Sequence, residues 1–315
     1  MDGPVLEWLL AGDPVLRAVV HRDLLDDPSK MGGVAADPRI QAMFRKVSDW
    51  PWPVLTSHKS AGHPIHQLAF LAELGVDLER SIGDGLLRSM TDIMADGLPR
   101  LLTNVSERYG GSGRNEWAWA LCDAPLLLYS LWRCFPSFDG EVGMRNLISL
   151  SRENGMPCRA SPELGRWRGP GRKDDPCPLA SLYTLRAARR SDDKASEDLA
   201  RIISNSLLDL WEGSRQRHPY MFFMGTDFRK LKLPFVWYDI LSVADALSLC
   251  PWVHDDGRFQ EMLSVIDLKR DAEGRYTPGS VWTSWKGWDF CQKKEPSRWV
   301  TFVVVRLHRR LERGR

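Results

Sequence analysis

Five apolar segments recur along the 315-residue chain at nearly constant spacing. They begin near Pro64 (PIHQLAFLAELG), Asp123 (DAPLLLYSLWRCFP), Cys177 (CPLASLYTLRAARR), Trp237 (WYDILSVADALSLC) and Arg298 (RWVTFVVVRLHRRL), and successive starts lie 59, 54, 60 and 61 residues apart. Such a period marks a repeat architecture, in which each unit buries its apolar surface against its neighbours. Each of the first four segments is followed by a second with its apolar residues on one helical stripe. These stripes are Leu86, Met90, Ile93 and Met94; Met144, Leu147 and Ile148; Leu199, Ile202, Ile203, Leu207 and Leu210; and Phe259, Met262, Leu263 and Ile266. The first member of a pair is apolar around most of its circumference and belongs inside, whereas the second has one wet face and belongs outside. An acid or amide followed by glycine closes each pair, at Asp96-Gly97, Asn154-Gly155, Glu212-Gly213 and Glu273-Gly274. A left-handed glycine there is expected to stop the helix.

The pattern predicts an all-α protein of about five to six helical hairpins of roughly 60 residues each, closing into an α/α toroid with a buried inner ring. With no long hydrophilic linker, one domain over residues 1–315 is expected. Residues 1–60 supply N-terminal helices (VLEWLLAGDPVLRAVVHRDLLDDP) and a cap that is irregular from Met31 to Lys59, and residues 61–315 carry the repeats. Lys plus Arg is 43 and Asp plus Glu 41, a net charge of +2, which gives no broad electrostatic reason to bind nucleic acid. No uncharged apolar stretch approaches the roughly 18 residues of a transmembrane segment. The start Met1-Asp2-Gly3-Pro4 lacks the layout of a secretion signal, so a cytoplasmic protein is expected. Six scattered cysteines, at 122, 134, 158, 177, 250 and 291, read as reduced thiols.

If the inner helices run parallel, their N-termini share one rim and residues distant in sequence meet there. That rim would gather His63, His66, Asp123, Asp174, Asp175, Cys177, Tyr238, Asp239, Arg298 and Trp299. Helix N-termini favour anions, and Lys59, Arg172, Lys173 and Arg298 would add positive charge. Helix capping by Asp123 and Asp175, worth about 1 kcal/mol each, is the competing reading. Among 14 tryptophans, Trp119, Trp237, Trp285 and Trp299 fall where rings would line a cavity and stabilise a cation by about 0.5 to 2 kcal/mol each. The Ser191-Asp192-Asp193 and His254-Asp255-Asp256 runs read as solvated caps, Tyr109 to Arg114 as a glycine-rich flap, and the arginine-rich tail from Arg306 to Arg315 as a solvated helix face.

The 60-residue pairing, the acid-Gly turn followed by a basic or aromatic residue (DAEGRY) and the segment RGPGRKDDPCPLASLYTL resemble the α/α toroid superfamily of terpenoid cyclases and protein prenyltransferase β subunits. The resemblance spans roughly residues 60 to 315. The glutamine-tryptophan repeat of triterpene cyclases is reduced here to LKRDAEGRY, which keeps the glycine and an aromatic without the glutamine. The resemblance implies chemistry on a hydrophobic small molecule, isoprenoids included, in a central aromatic-lined cavity. Asp174 and Asp175 match the last two acids of the class II cyclase DxDD motif, with Arg172 in place of the first. Two carboxylates in a dry pocket cannot both ionise cheaply, so one would act as the acid. The catalytic set is then Asp174 and Asp175, assisted by Asp239 and Tyr238, with His66, Trp119, Asp123, Trp237, Trp285, Arg298, Trp299 and Lys59 binding substrate and no cofactor. Asp175-Pro176-Cys177 also resembles the Asp-x-Cys zinc ligands of prenyltransferases. On that second reading Asp175, Cys177 and Asp239 hold zinc and a separate helical partner subunit is required. A non-catalytic toroid binding a lipid, peptide or protein is the third reading.

Overall fold

The computed structural model describes residues 3–169, 171–219 and 222–314; Pro170 of the RGPGRKDDPC segment and the tail residue Arg315 lie outside them. The chain is mostly helical: α1 (Gly3–Leu10), α2 (Pro14–Leu24), α3 (Pro38–Ser48), α4 (Pro64–Leu74), α5 (Leu78–Ile82), α6 (Gly85–Thr91), α7 (Ala124–Cys134), α8 (Glu141–Leu150), α9 (Pro178–Ala188), α10 (Lys194–Glu212), α11 (Ile240–Leu247), α12 (Gly257–Asp267) and α13 (Arg298–Arg313). The one sheet among the described residues is an antiparallel pair, β1 (Leu101–Asn104) and β2 (Asn115–Ala118). No described helix is long and apolar enough to cross a membrane. The chain divides into two compact units, Met43–Phe223 and Met1–Ala42 with Met224–Arg315.

In the Met43–Phe223 unit, α4, α7 and α9 carry the apolar segments that begin near Pro64, Asp123 and Cys177 and pack side by side in that order. Every residue of α9 is buried, as is every residue of α4 except Glu73, as expected of segments apolar on all sides. Their direction follows from two sets of contacts. At one end His58, in the loop before α4, faces Asp123, which precedes α7. At the other, Glu73 of α4 accepts hydrogen bonds from the Tyr129 hydroxyl of α7 (2.9 Å) and from Arg186 of α9 (2.9 Å). The three helices are therefore parallel, with their N-termini together. The long α10 covers α9 and α8, turning Leu199, Ile203 and Leu207 inward while its exposed face carries Arg201–Glu197 and Lys194–Asp198 pairs.

The other unit repeats the device. Trp299, in the first turn of α13, donates from its indole nitrogen to Asp13, the N-cap of α2, at 3.1 Å. Further along, Arg306 of α13 reaches Asp245 of α11 at 2.7 Å and Asp23 of α2 at 3.5 Å. Hence α2 and α13 are parallel, and α11 runs with them, since Ser248, three residues after Asp245, meets Arg310, four residues after Arg306, at 3.0 Å.

Three expectations need correction. Residues 31–59 are not irregular throughout, because α3 occupies 38–48 with Ile40, Met43, Phe44 and Val47 buried, a helical stripe in its own right. Three of the four acid-Gly pairs do not cap the helices they follow. α6, α8 and α12 end at Thr91, Leu150 and Asp267, and the positive-φ glycines Gly97, Gly155 and Gly274 follow in chain reversals closed by the bridges Ala95–Leu98, Arg152–Gly155 and Arg270–Tyr276. Gly213, which does follow its helix directly, has φ −77° and is not left-handed. The stripes of α8 and α12 stop before the turn, whereas Ile93 and Met94, expected on the first stripe, lie past the end of α6. Lastly, the arginine tail is not simply solvated, since Arg306 is buried and Arg310 pairs with Asp245 at 3.0 Å.

The Gly97 turn rests on α8. A Cβ on Gly143 would lie 2.6 Å from the Gly97 carbonyl oxygen and 2.7 Å from Leu128 Cδ1. Gly143→Ala is therefore expected to destabilise the protein by about 1–3 kcal/mol, seen as a lower urea midpoint. An unchanged midpoint would mean that α8 shifts at no cost.

Candidate functional site

Residues 156–161 form a strap across the N-terminal ends of α7 and α9. On one side the Leu121 N–H donates to the Arg159 carbonyl (2.9 Å) and the Ser161 N–H to the Trp119 carbonyl (2.8 Å), while the Ser161 hydroxyl accepts from the Trp119 N–H (3.2 Å). On the other, Pro157 pairs with Pro176 and the Cys177 N–H donates to the Met156 carbonyl. The strap thereby brings Cys158 beside Cys122–Asp123 and Asp175–Cys177, with His58 and His66 adjacent through the contacts described next.

Asp123 is 1% exposed. It stands at the N-cap position of α7 without making a side-chain cap; its Oδ1 instead accepts the N–H of Ala120, three residues earlier, at 3.2 Å. Oδ2 accepts no hydrogen bond and lies 3.7 Å from His58 Nδ1, beyond hydrogen-bonding distance. Burial pushes the Asp123 carboxyl up to about 7, against the opposing pull of the Ala120 and Ala124 N–H groups. Near neutral pH a large fraction of Asp123 is a neutral acid.

The histidines are held neutral. His63 caps α4, accepting the Ile65 N–H at Nδ1 (3.3 Å) and donating from Nε2 to the Pro53 carbonyl (2.9 Å), a pattern only the neutral ring can make. His66 donates from Nε2 to the His58 carbonyl at 3.0 Å, while its Nδ1 is buried without a hydrogen-bond partner. Burial lowers His66 to about 3 and His58 to about 4. The Trp167 ring lies 6.4 Å from that of His58.

Sulfur completes the cluster. The Cys158 thiol is half-buried and accepts hydrogen bonds from the Cys177 thiol and, at 3.0 Å, from the Gly169 N–H. The Cys177 hydrogen bond, the Gly169 N–H and the charge of Arg168 outweigh burial and bring Cys158 down to about 7. Cys177, the donor, is pushed well above the usual thiol range, and burial does the same to Cys122.

The residues expected at the rim divide between the two units. His63, His66, Asp123, Asp175 and Cys177 do assemble at adjacent helix N-termini in one of them. Asp174 and Asp175 do not form a dry acid pair: Asp174 is exposed, with its carbonyl bound by Asn154, and Asp175 is buried against the Arg217 guanidinium. An acid pair needs both carboxyls in one dry pocket, and these two lie in different surroundings. Lys59 is exposed and Trp119 half-buried. In the other unit Asp239 is a conventional N-cap, accepting the Ser242 N–H at 3.0 Å, and the Tyr238 hydroxyl meets Met224 sulfur at 3.9 Å. Trp285 and Trp299 are packing residues, each against Phe290, and Trp237 is half-buried. Arg298 is held by Trp8, through its carbonyl at 3.0 Å and with the guanidinium over its ring, and so is not a free mouth cation. The anticipated caps are present, with Asp193 on α10 and Asp256 on α12. The glycine-rich flap is the connection between β1 and β2.

Sequence reasoning missed His58 and Cys158. A signal was present for each: His58, His63 and His66 fall within nine residues, and the dipeptide Pro-Cys occurs both at 157–158 and at 176–177, the two places that pair. A cleft of about 320 Å³ in the other unit is lined by Val5, Tyr276, Val304, His308 and Asp267. Within it Asp267 accepts hydrogen bonds from Tyr276 (3.2 Å) and His308 (2.9 Å). No group of three or more His, Cys, Asp and Glu side chains is arranged to hold a metal ion among the described residues. Comparison with protein-family models, with curated proteins and with solved structures finds no match.

Proposed function

We propose that this protein is an enzyme of terpenoid-cyclase type that protonates a hydrophobic small molecule, isoprenoids included, with the Asp123 carboxyl as the acid. One observation carries the reading: a carboxyl 1% exposed, with one oxygen accepting no hydrogen bond, beside a neutral histidine at the shared N-terminal end of parallel apolar helices. An alkene accepts a proton only from an acid that is undissociated and poorly solvated, and burial supplies both conditions. Asp123 would give its Oδ2 proton to the double bond, leaving a carboxylate stabilised by the Ala120 N–H and the positive end of α7. The carbocation would be stabilised by ring faces, with Trp119 and Trp167 as candidates. Loss of a proton from the product cation to the Asp123 carboxylate would restore the acid. The α/α toroid fits this reading, because parallel inner helices with clustered N-termini recur in each unit. No cofactor or partner subunit is needed.

The test is incubation with geranylgeranyl diphosphate and with squalene in deuterium oxide. The wild type is expected to yield a cyclised product carrying deuterium from solvent. Asp123→Asn is expected to bind the same probe and form no product, whereas Asp174→Asn retains turnover because Asp174 is exposed. Full turnover by Asp123→Asn would overturn the assignment. A polyprene retained without conversion by the wild type would replace it with the non-catalytic reading.

A further inference from the structure

Two thiols in hydrogen-bond contact, one of them half-open to solvent and the other buried, are an arrangement that acid chemistry at Asp123 does not use. We propose that Cys158 and Cys177 form a redox-active pair, in which Cys158 is attacked by hydrogen peroxide or an organic hydroperoxide and is resolved by Cys177 into a reversible disulfide. The placement is a product of the strap. Pairing of Pro157 with Pro176 lays the two Pro-Cys dipeptides antiparallel, and alternation of side chains along paired strands puts Cys158 and Cys177 on the same face as diagonal neighbours. Their sulfurs already meet in a hydrogen bond, so closing the S–S bond of about 2 Å requires a local sulfur movement rather than a rearrangement of the helices.

The two sulfurs differ in the way the chemistry requires. Cys158 accepts two hydrogen bonds, from Gly169 N–H and the Cys177 thiol, and lies near the Arg168 charge. These favour its thiolate, the nucleophilic form. Cys177 is 4% exposed and keeps its proton. Cys122, Cys134 and Cys250 are buried as well, which leaves Cys158 the activated thiol of the cluster. In the first step the Cys158 thiolate attacks one peroxide oxygen, the O–O bond breaks, and the leaving hydroxide takes up a proton to become water. Cys158 is then a sulfenic acid. In the second step the Cys177 sulfur attacks the Cys158 sulfur, the S–S bond forms, and the S–O bond breaks. The hydroxyl departs as water with the proton of Cys177. Two thiols lose two electrons in total, and the peroxide is reduced to two waters. A small dithiol reverses the change by exchange.

The proposal is independent of the Asp123 reading, because its readout is a covalent bond and not turnover. The full-length reduced protein is titrated with hydrogen peroxide at about pH 7, digested without reductant and examined by mass spectrometry. The expected result is a Cys158–Cys177 cross-linked peptide, lighter by two hydrogens, that appears before oxidation of any other cysteine and disappears on dithiothreitol treatment. In Cys177→Ala, Cys158 sulfenic acid is expected to accumulate and be trapped by dimedone. Iodoacetamide should label wild-type Cys158 about tenfold faster at pH 7 than an ordinary exposed thiol, from the larger thiolate fraction. Wild-type protein in which Cys158 stays reduced while Cys291 oxidises, or passes to sulfinic acid with Cys177 still free, would overturn the proposal without reference to any variant.

Discussion

Asp245→Ala is expected to lower the stability of the protein by about 3–5 kcal/mol, the range for breaking a buried ion pair from one side. Asp245 is 1% exposed on α11 and accepts hydrogen bonds from Arg306 at 2.7 Å and Arg310 at 3.0 Å, both on α13. Arg306 is itself buried and also lies 3.5 Å from Asp23 of α2. Removal of Asp245 thus takes from a desolvated guanidinium its 2.7 Å carboxylate, and α11 loses the group that ties it to α13. Asp245→Asn keeps the shape and one acceptor and should lose less. Urea unfolding of the three proteins at neutral pH measures the differences. A loss below about 1 kcal/mol for Asp245→Ala would place the network among solvated surface pairs.

Asp123→Asn is expected to do the opposite at alkaline pH, raising stability by up to roughly 4 kcal/mol at about pH 8. In the folded protein the Asp123 carboxyl is raised from 3.8 to about 7. Below pH 4 both folded and unfolded chains hold the proton and the group contributes nothing. Between pH 4 and 7 the unfolded chain releases it while the folded one keeps it, so the folded state loses ground as pH rises. Above about 7 the loss is complete and constant. Asparagine has no charge to bury and can still accept the Ala120 N–H. His58 and His66, lowered to about 4 and about 3, act in the other direction, withdrawing stability as pH falls below their unfolded value of about 6.5. Both variants share that loss, so the difference between them isolates Asp123. Denaturant titrations at about pH 4 and pH 8 supply it. If Asp123→Asn proves the less stable protein at pH 8, Asp123 is an ionised, stabilising partner of His58 and cannot be the acid. A variant that gains stability while losing turnover would bear the mark of a site strained for function.

The repeat was legible because it is local. The apolar circumferences of α4 and α9, and the one-sided stripes of α10 and α12, are written in consecutive residues, and periodicity reads them directly. His66, Asp123, Asp175 and Cys177 could be placed together for the same reason, since a residue at a helix start goes where that start goes. The helix α3 was equally readable from Ile40, Met43, Phe44 and Val47, and only the neighbouring proline and glycine content obscured it. Three of the four acid-Gly turns have a different role from the expected one, because a glycine five to seven residues past the end of its helix reverses the chain instead of capping the helix.

What the chain alone determined was the alternation of helices apolar on all sides with helices apolar on one, and the residues that open each, since both follow from spacing along one segment. Partnership was decided in three dimensions. Asp174 and Asp175 are adjacent in sequence, yet one is solvated and the other faces Arg217. Asp123 and Asp239 hold the same position in their repeats, yet Asp239 accepts a helix N–H while Asp123 turns back to Ala120 and leaves an oxygen beside His58. Cys158 lies on a strap with no periodicity to announce it. A pKa or a nucleophile depends on which groups stand within a few ångströms in every direction, and that environment exists only when segments far apart in sequence have packed.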